Sequence, residues 1–302
     1  MWFLLALLAM SMLVLRRTTE KKLVSKVDAL SMSWLQQTVA LPFIVLSLAI
    51  APFFLPTELS WHFWGWTSFY ALAGAIDLMC YFAALSLADL SYIAPMLSLV
   101  SVGNVLGAYI ILGQKPTWYG MLGAVAIVIG AVTIHLSRRR SNAHDESRRK
   151  AHAVALGFVL VLVVVRAIYA NTELFPLREA NATTFNFYSS MLTVPIILLT
   201  VLVIRKFRHL DSPKVYVRST ARLVKANLLA FAFIGITYMI NLTATYQAKL
   251  IGPNAGYVTA VKAAQVLPMV IVGVLFFKEK ITKPEIVGLG IIVLGLVALG
   301  IN

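Results

Sequence analysis

The sequence predicts an all-α integral membrane protein, with ten transmembrane helices arranged as two inverted five-helix repeats. Three observations carry this. The 302 residues are 60% hydrophobic and only 13% charged, with a mean hydropathy of +0.85; a soluble domain is roughly 45–50% apolar and about 25% charged. The apolar residues fall into segments long enough to cross a bilayer, which takes about 20 residues. The second half of the chain also matches the first. This composition excludes a disordered chain, a secreted disulfide scaffold and a nucleic-acid-binding domain.

In order, the predicted spans lie at about 2–24, 34–55, 63–87, 91–113, 118–137, 153–175, 185–205, 227–249, 255–277 and 284–301. The first has a short apolar part, Met1–Val14, without a basic leader or a small-residue cleavage site, so it reads as a retained helix. It continues through Arg16-Arg17-Thr18-Thr19, whose basic side chains are expected to snorkel to the headgroups from the helix end. The lone cysteine, Cys80, allows neither an intrachain disulfide nor a CxxC site.

The net charge of +14 sits mostly in the connections between spans. Of 26 Lys and Arg, 21 fall in the first, third, fifth, seventh and ninth connections and 3 in the others, leaving Arg166 and Lys262 inside spans. The positive-inside rule makes the odd connections cytoplasmic and puts both termini outside. The chain divides into a first repeat at 1–137, a basic cytoplasmic linker at 138–151 and a second repeat at 152–302.

Self-comparison supports the division. At an offset of 165, residues 81–132 fall on 246–297 with 12 identities in 52, among them Tyr81/Tyr246, Thr117/Thr282, Gly123/Gly288 and Gly130/Gly295. At an offset of 153, Thr19-Glu20 falls on Thr172-Glu173 and Pro42 on Pro195. An odd number of helices per repeat makes the second enter the membrane from the opposite side, so the repeats are inverted and suited to rocking about a midplane site.

The stretch Gly256–Gly295, GYVTAVKAAQVLPMVIVGVLFFKEKITKPEIVGLGIIVLG, closes the second repeat with a phenylalanine-rich turn, an acid in a short basic turn and a Gly-rich last helix. In this the chain resembles the drug/metabolite transporter superfamily, specifically the EamA-type ten-helix transporters, over its whole length. Glu279 falls on the family's recurrent acidic turn residue; in the first repeat, AYIILGQKPTWYGMLGAVAIVIG, Gln114 stands there instead. The resemblance implies a secondary transporter for small metabolites, with helices 1, 3, 4, 6, 8 and 9 around a central cavity and helices 5 and 10 outside it. It also implies both termini in the cytoplasm, opposite to the charge bias, so the two differ on sidedness and on import versus export.

Ionisable groups at bilayer depth are costly and are candidates for function. Asp77, Arg166 and Lys262 lie in helices 3, 6 and 9, and their repeat counterparts are Leu242, Leu13 and Leu97. Repeat packing alone does not call for them. Two cations against one acid leave a positive cavity, which makes Lys262 and Arg166 the expected substrate contacts, an Arg fork and a mobile Lys charge both suiting a carboxylate or phosphate. Asp77 serves either as a structural partner to one of them or in coupling. Glu173, about two turns beyond Arg166, is expected to pair with it or to carry coupling. Asn171, Asn241, Tyr257 and Gln265 lie near these charges and complete the expected substrate site. Tyr238, Asn241 and Thr245 share one face of helix 8, and Ser98, Ser101 and Asn104 form a stripe on helix 4; each stripe faces the cavity or hydrogen-bonds a neighbouring helix. Tyr81 and Tyr246 are expected to pack. Pro95 and Pro268 are expected to bend helices 4 and 9. The Gly123/Gly130 and Gly288/Gly295 pairs permit close helix contact, internal or in a dimer.

No nucleophile motif, phosphate-binding loop or metal-ligand spacing appears, and the five histidines lie at helix ends or in loops. The sequence therefore predicts a non-enzymatic transporter with no cofactor or metal. It would move a small polar, anionic or zwitterionic metabolite by alternating access. Its partners are the small-molecule substrate and the lipid bilayer, with proton or ion coupling and a dimer left open, and its location is a plasma membrane, for a compact chain of this family the bacterial inner membrane. A lipid or lipid-phosphate flippase on the same fold is the alternative, and a cationic-drug exporter ranks below it.

Overall fold

The computed structural model describes residues 1–24, 27–50, 58–88, 93, 97, 99–141, 146–207, 212–277 and 281–301. Pro95, Ser98 and Glu279 lie outside the described residues. Every element is a helix among the described residues: α1 (Trp2–Val24), α2 (Ala29–Thr38), α3 (Leu41–Ile50), α4 (Trp61–Leu87), α5 (Leu99–Leu112), α6 (Trp118–Ser141), α7 (Glu146–Thr172), α8 (Leu174–Glu179), α9 (Ala182–Phe207), α10 (Pro213–Ala226), α11 (Leu228–Ile251), α12 (Ala255–Ala263), α13 (Val266–Phe277) and α14 (Lys283–Gly300). Eight stretches are long and apolar enough to cross a membrane, and two shorter apolar helices, Leu99–Leu112 and Ala255–Ile271, accompany them. α6 and α7 run into the stretch expected to be a linker, through Ser141 and from Glu146.

Three of the predicted spans are broken, and one cause accounts for all three. A proline inside a helix lacks an N–H and clashes with the carbonyl four residues earlier. Pro42, Pro176 and Pro268 stand four residues after Thr38, Thr172 and Ala264. α2 ends at Thr38, α7 at Thr172 and α12 at Ala263. The expected bend at Pro268 is therefore a break, and Glu173 and Gln265 sit in such breaks.

The first helix packs on the second half of the chain, α1 against α11 and α12, while α7 packs against α4 and α5. α6 and α14 form the other large contact. Glycines allow it: a Cβ on Gly123 would meet the Gly295 carbonyl at 2.8 Å, and one on Gly130 the Gly288 carbonyl at 2.5 Å. Residue 123 faces 295 while 130 faces 288, so the two helices run antiparallel. α5 ends at Gly113, whose φ of 66° is in the left-handed region. The turn brings Gln114 onto the start of α12, where its Oε1 accepts from the Ala255 amide at 2.9 Å. The residue at the family's acidic position thus caps a helix of the other half.

One element was not expected. α10 is a short amphipathic helix between the seventh and eighth predicted spans. Its Ser212-Pro213 start has an N-cap residue followed by proline at the first helical position. Tyr216, 2% exposed, anchors it to α2: its hydroxyl accepts from Trp34 Nε1 at 2.8 Å and shares a hydrogen bond with Ser31 Oγ at 2.8 Å.

Candidate functional site

A cluster of charge lies between α1, α4, α7, α11 and α12. Asp77 on α4, 3% exposed, accepts both prongs of the Arg166 fork from α7: Nε donates to Oδ1 at 2.9 Å and Nη2 to Oδ2. Of the partners expected for Asp77, the structure thus pairs it with Arg166.

Glu173 does not pair with Arg166. The break before α8 turns it toward α11, where Lys249 Nζ donates to Glu173 Oε1 at 2.6 Å and to the Ala170 carbonyl at 2.6 Å. Both side chains are buried, at 3% and 4% exposure. Lys249, counted by sequence among the connection charges, is instead a core residue.

Arg16 and Arg17 depart from expectation most. They do not snorkel outward; they are 7% and 3% exposed, and Glu20 is 0% exposed. Arg17 Nη1 donates to Gln265 Oε1 at 2.6 Å, and its guanidinium lies 5.0 Å from the centre of the Tyr81 ring. Arg16 lies 4.8 Å over the Tyr238 ring and faces Glu20 at 3.2 Å. The glutamate one helical turn after Arg16 was the available signal: the i, i+4 pair favours an inward, partnered face.

Lys262 Nζ donates to Thr245 Oγ1 at 2.8 Å. Among the described residues it makes no ion pair. Its charged neighbours are Lys249, Arg16 and Arg166, which repel it, and Glu173, which attracts it. Thr245 in turn donates to the Asn241 carbonyl at 2.6 Å. The structure thus brings Lys262, Thr245, Gln265 and Arg17 together, beside the Asp77–Arg166 pair.

Three expected site residues are used in packing. Asn241 Nδ2 donates to the Ala9 carbonyl at 2.5 Å and ties α11 to α1. Asn171 Nδ2 donates to the Ala167 carbonyl at 2.9 Å and lies against Gly107 of α5. The Tyr257 hydroxyl accepts from the Thr117 amide at 2.6 Å, clipping α12 to the start of α6. Removing that hydroxyl with Tyr257→Phe should cost about 1 kcal/mol of stability and leave ligand affinity unchanged. Thermal unfolding with and without ligand checks both; a fall in affinity alone would return Tyr257 to the site.

Of the polar stripes, Tyr238 takes a hydrogen bond from Gln37 Nε2 at 2.7 Å. Ser101 and Asn104 are buried, at 0% and 1% exposure.

Several buried polar atoms in and around the cluster find no hydrogen-bond partner among the described residues: Arg16 Nη1, Arg17 Nε and both ends of the Gln36 amide, whereas Arg16 Nε and Glu20 form the ion pair and Glu20 also meets Tyr81. Native proteins leave few such groups unpaired, because each costs about 1–3 kcal/mol. Their concentration on α1 and α2 marks a polar site rather than a packed seam. The cluster holds five cations, Arg16, Arg17, Arg166, Lys249 and Lys262, against three carboxylates, Glu20, Asp77 and Glu173, so it is cationic.

Two acids occupy related places. Glu20 and Glu173 are repeat counterparts at the offset of 153, and Tyr81 and Tyr246 at 165. Arg17, Arg16 and Glu20 all act on Tyr81, and Glu173 acts on Tyr246. Tyr246 shares a hydrogen bond with Tyr70 at 2.8 Å. Gly252 packs beside Trp2, so Lys249 and Glu173 lie at the Trp2 end of α1. Glu20 lies eighteen residues along that helix, roughly 25 Å away.

Comparison with known proteins agrees with this architecture. The profile of the EamA-like transporter family matches residues 1–136 and 153–301. A crystal structure of a protein 15% identical aligns with a TM-score of 0.66, over 99% of this chain and 95% of that one, a likeness of fold alone. No curated protein matches the chain.

Proposed function

Because the chain belongs to the EamA-like transporter family, and is a multi-pass membrane protein by its apolar helices, we propose that it is a secondary transporter of a small anionic or zwitterionic metabolite. The cationic cluster carries this reading. Five cations face three acids, and Arg16 Nη1 and Arg17 Nε are left without hydrogen-bond acceptors among the described residues. A carboxylate or phosphate would supply those acceptors and balance the charge at once. Arg16, Arg17, Lys262 and Gln265 are the proposed substrate contacts; the Asp77–Arg166 pair lies beside them. Glu20, Asp77 and Glu173 are each paired with a cation, Arg16, Arg166 and Lys249, and are the candidates for proton coupling.

The proposed mechanism is alternating access by two inverted five-helix repeats, 1–137 and 152–302. The antiparallel α6–α14 contact supports it. Exchanging repeat counterparts turns the Gly123–Gly295 contact into Gly288–Gly130, the other contact of the same pair, as an in-plane two-fold axis requires. The Glu20–Tyr81 and Glu173–Tyr246 layers toward opposite ends of α1 support it too, since each can close one side of the central site. The Lys and Arg bias favours both termini outside, and the compact connections and the family favour a plasma membrane of the bacterial inner-membrane type.

A stability screen tests the reading. Detergent-purified chain is heated with soluble anions, zwitterions, cations and lipid phosphates, and any stabilising compound is assayed for uptake into proteoliposomes. A ligand present at about 100 times its Kd should add about 2.7 kcal/mol of stability. Stabilisation and uptake of a soluble anion or zwitterion are expected. A response to lipid phosphates alone would make the protein a flippase, and a response to cations alone would overturn the charge argument.

A further inference from the structure

Among the described residues, α10 has no counterpart in the first repeat. The repeat offset rises from 153 over the front of the halves to 165 over their rear, a gain of 12 residues. That gain falls between residues 195 and 246, the stretch that holds α10. The duplicated architecture therefore does not require this helix, and its surface calls for another explanation.

That surface is one-sided. Lys214, Arg218, Arg222 and Lys225 recur at intervals of 4, 4 and 3, which places all four on one face. All four are exposed. The opposite face carries Tyr216 and Thr220, 2% and 6% exposed, which bind the helix to the protein. No acid occurs in Pro213–Ala226 to relieve the repulsion among the four cations. Val215 and Val217, 55% and 46% exposed, flank the basic face.

The helix also stands where lipid headgroups are. Only Asn227 separates it from α11, whose first residues, Leu228 and Leu229, are 61% and 87% exposed. Phe207, the last residue of α9, is 80% exposed. An amphipathic helix tethered between two spans lies at the membrane boundary, and four unbalanced cations there match a negatively charged surface.

We propose that α10 is a docking surface for the anionic headgroups of the adjoining bilayer leaflet. Lys214, Arg218, Arg222 and Lys225 make the contact, and Tyr216 transmits it to Ser31 and Trp34 of α2. The surface is separate from the transport site.

The test places the full chain in nanodiscs of phosphatidylcholine alone or with phosphatidylglycerol, and follows amide hydrogen exchange over residues 212–226. Exchange in the wild type should slow roughly tenfold or more in the anionic discs. The gain should fade at 1 M salt, where the screening length falls to about 3 Å. Replacing Lys214, Arg218, Arg222 and Lys225 together by Gln should abolish it, while thermal stability in neutral detergent stays as in the wild type. If that variant is unstable, Arg218→Gln with Arg222→Gln should remove most of the gain. Equal exchange in the two kinds of disc overturns the proposal. So does a gain that survives in the variants, which would assign the lipid effect to other basic segments.

Discussion

Asp77→Leu is expected to destabilise the protein by about 3–5 kcal/mol, the usual cost of leaving one member of a buried ion pair without the other. The Asp77 side chain is 4% exposed and accepts two hydrogen bonds from Arg166, so its removal leaves a guanidinium between helices without a counter-charge. Arg166 is 22% exposed, which lets water relieve part of the loss and favours the lower end of that range. Asp77→Asn keeps the shape and one acceptor and should lose less. Asp77→Leu combined with Arg166→Leu should recover most of the stability, because it removes the orphaned charge along with the pair. Thermal unfolding in detergent, with the yield of folded protein, measures all three. Equal losses in the single and double variants would show that the pair does not hold α4 to α7.

The distinction between paired and unpaired charges was only partly legible in the sequence. The helices were legible because bilayer crossing imposes a length and an apolar composition that few other structures share. Asp77, Arg166 and Lys262 were legible because each stands alone in an apolar run. Arg16, Arg17 and Lys249 were not, because each lies near a predicted span end, where a basic residue normally points to water. Their burial follows from tertiary contacts: the rings of Tyr81 and Tyr238 cover the two arginines, and Glu173 receives the lysine. The helix breaks were written in the prolines, but Pro195 stands inside α9 without ending it, so a proline alone does not decide. α10 had a sequence trace in the 12-residue change of repeat offset, although its apolar content was too low to register as a span. The interhelical hydrogen bonds of Tyr257 and Asn241 were not legible, because proximity in sequence to a charge says nothing of which helix the side chain faces.

Lys262 is the residue on which stability and function should separate. Its ammonium touches Thr245 Oγ1, a neutral acceptor, and among the described residues it makes no ion pair. Lys262→Met therefore strands no opposite charge, and Thr245 keeps its bond to the Asn241 carbonyl. The variant should lose no more than about 1 kcal/mol, as volume-conserving core changes do, and relief of repulsion from Lys249, Arg16 and Arg166 works in its favour. Ligand binding should respond in the opposite sense. A hydrogen bond from an ammonium to a carboxylate or phosphate contributes about 1.5–3 kcal/mol, so affinity should fall roughly 10- to 150-fold, and transport with it. Lys262→Arg keeps the charge but exchanges a mobile point for a planar fork, and should recover part of the binding. Titration of the stabilising compound against wild type and both variants, followed by uptake, decides the matter. Unchanged affinity in Lys262→Met would remove this lysine from the site and leave Arg16 and Arg17 as its cations. A folded variant that no longer binds would place the substrate's anionic group beside Thr245, between the paired Asp77–Arg166 and Glu173–Lys249, where an unpaired cation is available to it.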